Sequence, residues 1–457
     1  MLSLALGCLL TPILFVFFAA VLPEGTARRG LGPYLCLGLV GWALVWGPQL
    51  SPAARLLVCS LWLLYCLKGW SLLKLPREAV RGFSPLGLLL YSYPWPGVDP
   101  RPFQKRTEPD QGAARWFVFG FPTMCLGILA VLLLALQAEA LAPSALGLAG
   151  TTALLVTVHL GYSDILSSLV RLLGFRASRL FVHPLASRSL NEFWSRRWNG
   201  PFVEMNRLLF RPLLKGRFSA GTVVVLLFLL SGLLHEMALS FPAQAGWGGP
   251  LAYFGVQGGL MLIEKRWRVK HWNGLTARLW TWFWLLAPAP LLFHGPFRET
   301  LVLPLYAALH SLPPLSNPLA FARAALTAVG CGHFLVLVAS FQVPHRLGWK
   351  EELARLRPLN RKLLWTYGAY IVGMITTWGV LTLNLLPELL AGEKSALALA
   401  IVIAVFWWSR IVVDTFYFEH SDWPEGVEFI LGHTMLTSLF VTIASTYTTL
   451  LVWHWWH

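Results

Sequence analysis

LLFLLSGLLHEMALSF, residues 226–241, is the stretch of sequence that decides the fold class. It is apolar except for the neighbouring pair His235 and Glu236, and it lies in a run long enough to cross about 30 Å of hydrocarbon. Similar runs recur along the chain, in which 56% of the 457 residues are hydrophobic and 12% are charged. A soluble domain carries about 25% charged residues. The sequence therefore predicts a polytopic helical membrane protein.

The apolar runs predict an all-α fold, because a backbone in hydrocarbon must satisfy its hydrogen bonds within the spanning element. We expect about twelve transmembrane spans in two parts, and one of these spans covers about 279–294. Residues 1–300 form one bundle, and residues 318–457 form a C-terminal four-span membrane unit of unknown role. The prolines at 304, 313, 314 and 318 predict a break between the two parts, because proline removes helix hydrogen bonds.

The formal net charge of +15 comes from Lys and Arg residues that cluster in the loops between apolar runs. In a soluble protein such a charge would suggest nucleic acid, but here it is typical of cytoplasmic loops, and no nucleic-acid partner is predicted. The chain is expected to be an integral protein of a bacterial inner membrane. The loops predicted to face the cytoplasm are 72–114, 171–217, 264–278 and 344–362.

The pair His235 and Glu236 is unusual inside a span, where a charged group costs about 2.5–3.5 kcal/mol on insertion scales. Such residues face the interior of the helix bundle. A neutral, hydrogen-bonded His235 and a functional His235 are equally compatible with the pair alone. Glu236 points about 100° away around the helix, so we predict that it makes a helix-to-helix hydrogen bond. His159 and Asp164 share another span, and their pattern favours a structural role.

A second unusual stretch, SLNEFWSRRWNG at residues 189–200, lies upstream of His235. We call it the aromatic-basic loop. It belongs to a segment, 171–217, that carries about ten Lys or Arg residues and two acids. Cytoplasmic topology explains part of this charge. Arginine also binds phosphate through a planar fork, and aromatic rings provide stacking surfaces. The combination suits a phosphorylated, partly aromatic ligand.

The two stretches together resemble the membrane-bound O-acyltransferase family, specifically its wax-synthase-like branch. In that branch a segment of the form S-L-x-x-F-W-x-R-R-W-N precedes a helix of the form S-G-x-x-H-E. The strong part of the resemblance covers residues 189–240, and by layout it extends over 1–300. The matching residues are Ser189, Leu190, Phe193, Trp194, Arg196, Arg197, Trp198 and Asn199, followed by Ser231, Gly232, His235 and Glu236.

The resemblance implies acyl transfer from an acyl-CoA to the hydroxyl of a lipophilic alcohol that arrives from the membrane lipid. The family's histidine and asparagine correspond to His235, as general base, and Asn199, as oxyanion donor. Substrate-binding residues at the CoA entrance are expected to be Trp194, Arg196, Arg197 and Trp198. Acyl-CoA is a co-substrate, and no other cofactor is expected. No metal is expected either, since HEMAL departs from the HExxH zinc pattern.

Two other functions remain open. A transporter or flippase could use His235 and Asp164 as a proton relay, although no inverted repeat is evident in the sequence. A catalytically inactive relative could retain the motif for packing alone. An enzyme would consume acyl-CoA when a hydroxyl acceptor is present, and the other two would not. A fatty alcohol, a sterol, a glyceride and a hydroxylated secondary metabolite all remain open as acceptors.

Overall fold

The computed structural model describes residues 2–419 and 426–456, and over this range the chain is helical and contains no strand. The prediction of an all-α fold is confirmed. The chain divides into two compact units: residues 1–134 with 140–306, and residues 135–139 with 307–457. The roles assigned to residues 1–300 and 318–457 stay predictions. Residues 420–425 and 457 of the predicted C-terminal unit lie outside the described part.

Helices of 13 residues or more are labelled in chain order, and the first unit contains eight of them in its described part. They are α1 (Leu2–Val21), α2 (Thr26–Trp46), α3 (Pro52–Leu73), α4 (Ala114–Leu136), α5 (Pro143–Leu155), α6 (Ala220–His235), α7 (Gly249–Trp267) and α8 (Gly274–Leu286). Shorter helices in this unit include Arg77–Arg81, Pro85–Ser92, Ser163–Leu172, Leu190–Glu192, Gly200–Met205 and Arg211–Leu214.

Seven helical stretches of the described residues are long and apolar enough to cross a membrane. They are Pro52–Leu73, Gln111–Leu136, Pro143–Leu172, Ala220–Ala243, Pro318–Arg346, Lys394–Phe416 and Val427–Trp455. The chain is therefore an integral membrane protein. α1 and α2 contribute the shorter apolar pieces Leu10–Val21 and Gly30–Trp42. The predicted number of about twelve spans is not confirmed.

One predicted span differs clearly from the structure. The stretch 279–294 was expected to form a single span, but α8 ends at Leu286 and a separate short helix covers Ala289–Leu292. Pro288 and Pro290 follow the end of α8 directly. Neither proline has a backbone N–H to donate to the preceding turn, and each ring clashes with that turn, which explains the break in the helix here.

α6 and α7 pack closely because glycines lie between them. A Cβ atom on Gly232 would lie 2.7 Å from the Cα atom of Leu251, and one on Gly258 would lie 3.0 Å from the Cβ atom of Phe228. Small residues let two membrane helices approach in this way. The packing fixes the position of His235, at the end of α6, relative to the side chains of α7.

The second unit contains the helices α9 (Pro318–Arg346), α10 (Pro358–Asn384), α11 (Lys394–Phe416) and α12 (Val427–Trp456). Its core includes His333, which is fully buried. The Nε1 atom of Trp407 donates to Nε2 of His333 over 3.2 Å, and Nδ1 of His333 bonds the carbonyl oxygen of Val329 over 2.8 Å. Both ring nitrogens are satisfied within the bundle, so His333 is a structural residue.

Candidate active site

His235 ends α6, and a π-helical turn, Glu236–Ser240, continues the chain from it. Its Nδ1 atom lies 2.7 Å from the carbonyl oxygen of Ser231. Because a carbonyl oxygen only accepts hydrogen bonds, Nδ1 carries the proton, and Nε2 of the neutral ring keeps its lone pair. Within the described residues Nε2 has no hydrogen-bond partner. The ring is therefore held in the tautomer of a proton acceptor.

An aromatic wall of Trp194, Phe228 and Phe254 lies beside this imidazole. The ring centroids of His235 and Phe254 are 4.5 Å apart. Trp194, from the aromatic-basic loop, packs on Phe254 at 5.6 Å and on Phe228 at 5.8 Å. The structure thus brings two predicted site residues, Trp194 and His235, into contact with the same ring of α7.

Two polar residues of α7 hold the aromatic-basic loop in place. The Nε1 atom of Trp194 donates to the side-chain oxygen of Gln257 over 3.1 Å. The carboxylate of Glu264 accepts from the backbone N–H groups of Leu190, over 2.7 Å, and Asn191, over 3.0 Å. A carboxylate is favourable at this place, because Leu190 and Asn191 begin a short helix whose N–H groups are otherwise unpaired. The loop is therefore tied to α7, which also packs against α6.

The two arginines of the loop have different surroundings. Arg197 donates from Nε to the Glu192 carboxylate over 2.6 Å, and from its terminal nitrogen to the carbonyl oxygens of Val182 and His183, over 3.2 and 3.1 Å. Arg196 is exposed and has neither a hydrogen bond nor an ion pair with another described residue. Of the two predicted CoA contacts, Arg196 has a guanidinium that is available to a ligand, whereas Arg197 holds the loop together.

Trp198 packs against a histidine from a different span. Its ring stacks on Phe193 at 5.2 Å and lies parallel to His159, with a centroid distance of 5.9 Å and an interplanar angle of 3°. His159 belongs to a π-helical turn, Val156–Tyr162, within the membrane span Pro143–Leu172. Trp198 therefore links the aromatic-basic loop to that span.

Asn199 has a left-handed backbone, with φ 51° and ψ 62°, which asparagine tolerates better than most residues. Its side-chain oxygen accepts a hydrogen bond from the backbone N–H of Phe202 over 3.2 Å and caps the helix Gly200–Met205. The oxygen is therefore engaged in capping, and the amide nitrogen is the group that could donate to a ligand. The assignment of Asn199 as oxyanion donor stays a prediction.

Residues 177–255 match the family model of the membrane bound O-acyl transferases. The matched segment includes the aromatic-basic loop, His235 and Phe254, which are the residues that meet at the site. The match supports an acyltransferase activity in general terms. Among curated proteins no match was found.

Within the matched segment 177–255, Glu236 binds the start of α7. Its Oε1 atom accepts from the backbone N–H groups of Gly248, over 2.9 Å, and Leu251, over 3.1 Å. The predicted helix-to-helix hydrogen bond is confirmed. Like Glu264 at the aromatic-basic loop, this carboxylate pairs N–H groups that a helix start leaves open. It thereby fixes the start of α7 next to the end of α6.

Asp164 also contacts the matched segment 177–255, through Arg179. The Nε atom of Arg179 donates to Oδ1 of Asp164 over 2.7 Å, and a terminal nitrogen binds Oδ2. Each side chain is about 10% exposed. A bidentate, charge-assisted pair of this kind holds the carboxylate in one orientation. Asp164 is paired with a basic residue of the segment, and no hydrogen bond joins it to His235 in the described structure.

The sequence interpretation missed three residues of α7 that build the site: Phe254, Gln257 and Glu264. Phe254 and Gln257 carry no signal, because one aromatic and one amide in an apolar run are common in membrane helices. Glu264 begins the basic turn EKRWRVK, and the sequence interpretation assigned it to the cytoplasmic loop 264–278. A carboxylate at the end of an apolar run could have indicated a partner within the bundle.

Proposed function

We propose that the protein transfers an acyl group from acyl-CoA to the hydroxyl of a lipophilic alcohol and forms an ester, in the manner of the wax-synthase-like branch. The observation that carries the proposal is the hydrogen bond from Nδ1 of His235 to the carbonyl of Ser231. It leaves Nε2 as a proton acceptor in a segment that matches an acyltransferase family. Imidazole suits the task because it titrates near neutral pH.

In the proposed reaction, Nε2 of His235 takes the hydroxyl proton of the acceptor as the oxygen attacks the thioester carbonyl. The tetrahedral intermediate then collapses, the carbon–sulfur bond breaks, and the imidazolium returns the proton to the departing CoA thiolate. The products are an ester and free CoA, and His235 ends in its starting form. General acid–base catalysis of this kind contributes about 10²–10⁴ in rate.

The two substrates differ in polarity, and residues of the aromatic-basic loop and of the aromatic wall fit that difference. CoA carries phosphates, which suit the free guanidinium of Arg196. The alcohol and the acyl chain are apolar, and the aromatic wall of Trp194, Phe228 and Phe254 offers them an apolar surface. The reaction would therefore take place in a membrane, and we propose a bacterial inner membrane.

The transporter alternative requires Asp164 to exchange protons with His235. The bidentate ion pair between Asp164 and Arg179 makes that exchange less suitable, because a proton on the carboxylate would break the pair. If the motif served packing alone, both ring nitrogens of His235 would be expected to bond to the protein. Nε2 of His235 is instead unpaired within the described residues. Both observations favour the acyltransferase.

The test is ester formation by the purified protein in lipid nanodiscs. Palmitoyl-CoA is supplied with hexadecanol, cholesterol or diacylglycerol in separate reactions, and free thiol and ester are measured together. We expect CoA release and an equal amount of ester with at least one alcohol, and no ester in nanodiscs without the protein. CoA release without ester, or neither product with any of the alcohols, would contradict the proposal.

A further inference from the structure

A row of packed rings connects His159 to the proposed base, although His159 comes from a different span. Trp198 of the aromatic-basic loop stacks on His159 in parallel planes and also stacks on Phe193. Phe193 lies against Trp194, whose ring packs on Phe254, the ring that contacts His235. A histidine that the acyltransferase motif does not include is therefore part of the same site.

The backbone at His159 is irregular. Residues 156–162 form a π-helical turn between the regular helices Pro143–Leu155 and Ser163–Leu172. Such turns widen the helix locally and occur frequently at functional sites. The sequence of this turn, VTVHLGY, contains no proline that would impose the irregularity.

The hydrogen bonding of His159 indicates which ring nitrogen carries the proton. Its Nδ1 atom is buried and has no hydrogen-bond partner among the described residues. The residue as a whole is only partly buried, and Nε2 is not among the buried atoms that lack a partner, so Nε2 is the more open ring nitrogen. An unpaired buried N–H is rarer in proteins than an unpaired acceptor. The neutral ring therefore favours the tautomer with its proton on Nε2, as a donor toward open space.

The two imidazoles consequently have complementary tautomers. His235 offers a lone pair on Nε2, because Ser231 binds its Nδ1 proton, and His159 offers an N–H on Nε2. An ester-forming site needs both: an acceptor for the hydroxyl proton, and a donor for the negative charge that develops on the thioester oxygen.

Resting on the proposed function, we propose that His159 is a second catalytic residue whose Nε2–H donates a hydrogen bond to the thioester oxygen as that oxygen becomes negative. Attack by the alcohol breaks the carbon–oxygen π bond and places its electron pair on the oxygen beside Nε2–H. Collapse returns the pair to carbon and expels the thiolate. His159 keeps its proton throughout, and His235 alone transfers the hydroxyl proton.

The test compares three variants in the nanodisc ester assay with palmitoyl-CoA. H159F keeps a ring against Trp198 but has no N–H, and H159Q supplies an amide N–H at a reach similar to that of Nε2. F181L is the packing control, because Phe181 contacts the rings of both His159 and Trp198 and has no group that can donate. For each variant kcat, the KM for palmitoyl-CoA and the unfolding temperature are measured.

We expect H159F to lower kcat by about 10²–10³-fold, the usual effect of losing an oxyanion donor, with the KM for palmitoyl-CoA changed less than about threefold. H159Q should recover part of the loss, and F181L should keep most of kcat. If all three variants lose kcat equally, and the losses parallel the decreases in unfolding temperature, His159 has a packing role and the inference is wrong.

The inference and the proposed function fail in different ways. If H159F turns over like the wild type while H235A is inactive, the inference is wrong and the proposed function stands. If the wild type forms no ester, or if H235A forms it at the wild-type rate, the proposed function is wrong, and the inference is wrong with it.

Discussion

At the scale of single residues, one hydrogen bond gives His235 its chemistry. The carbonyl of Ser231, one turn earlier in α6, holds the Nδ1 proton and turns Nε2 into the acceptor. A histidine without this partner could exchange tautomers and would present the acceptor only part of the time. The Ser231 side chain is not required for this bond, because it is the backbone oxygen that binds the ring.

We expect H235A to fold and insert normally but to lower ester formation by about 10²–10⁴, because it removes the only proton acceptor of the proposed reaction. The measurement is kcat of the purified variant, with its unfolding temperature as the check on folding. H310A, at a histidine of the second unit, is the matched control and should turn over like the wild type. Wild-type turnover in H235A would remove His235 from the mechanism.

The different surroundings of Arg196 and Arg197 predict different losses. R196Q should raise the KM for acyl-CoA about tenfold, because one charge-assisted hydrogen bond to a phosphate is lost, and stability should not change. R197Q should lower the unfolding temperature instead, because Glu192 and two carbonyl groups lose their partner. R361Q, at an exposed arginine of the second unit, is the control. An unchanged donor KM in R196Q would exclude a phosphate contact there.

Glu204, in the short helix Gly200–Met205, predicts a pH dependence of stability. Burial, followed by the neighbouring carboxylate of Asp99, raises the pKa of Glu204 to about 7, and Arg207 and Arg101 oppose the shift. Between its ordinary value of 4.5 and about pH 7 the folded state binds a proton that the unfolded state lacks, so the contribution of Glu204 to stability falls as pH rises through this window.

The measurement is the unfolding temperature of E204Q and the wild type across that window. E204Q should flatten the decline and should be more stable than the wild type above about pH 7. E108Q, at an exposed carboxylate of another loop, should keep the wild-type profile. Parallel profiles for E204Q and the wild type would show that Glu204 does not titrate in this range.

At the scale of elements, the close packing of α6 and α7 builds the site. α6 carries His235, and α7 carries Phe254, Gln257 and Glu264, so their separation sets both the aromatic wall and the position of the aromatic-basic loop. Glu236 joins the end of α6 to the start of α7 by two hydrogen bonds. The aromatic-basic loop is held on α7, because the backbone N–H groups of Leu190 and Asn191 donate to Glu264.

G232A tests this packing. The new Cβ atom would lie 2.7 Å from the Cα atom of Leu251, a backbone atom that cannot move away alone. We expect a loss of about 1–3 kcal/mol in stability and a larger loss of turnover than of acyl-CoA binding, because His235 moves away from Phe254. G259A is the matched control on α7, where a Cβ atom meets nothing within 4 Å. Wild-type stability and turnover in G232A would show that the helices are not in tight contact.

At the scale of the whole molecule, the chain divides into two units, and every residue of the proposed site belongs to the first. The second unit has its own core around His333, Trp378, Trp407 and Tyr447. Asp414 of this unit binds Arg410 over 2.9 Å and His433 over 3.2 Å. His333 and His433 thus both have partners within this unit, which agrees with a structural role for these two histidines.

We therefore expect residues 1–310, expressed alone, to form ester, at a lower yield of folded protein than the full chain. The second measurement is co-expression of residues 1–310 with residues 311–457, which should restore the yield without changing the turnover per folded molecule. H333A in the full chain is the control, because it disturbs the core of the second unit only. It should lower the yield of folded protein without changing the turnover per folded molecule. A well-folded short form that is inactive until residues 311–457 are supplied would show that the second unit helps to build the site.

By itself the sequence determined the all-helical membrane fold, since hydrocarbon-length apolar runs leave the backbone no other partner. It also predicts His235 as the candidate base, because a lone ionisable pair in a span is costly and the motif around it is specific. It also predicts one continuous span at 279–294, but in the structure the helix is interrupted at the prolines 288 and 290.

Only the tertiary structure decided which residues share the site and what each can do. Arg196 and Arg197 are identical in type and adjacent in sequence, yet one is free and the other is bound by three groups. His159, Phe254 and Glu264 meet the loop from other helices, at separations that no local pattern records. A side chain's chemistry depends on the partners that packing brings to it, and those partners are distant in the chain.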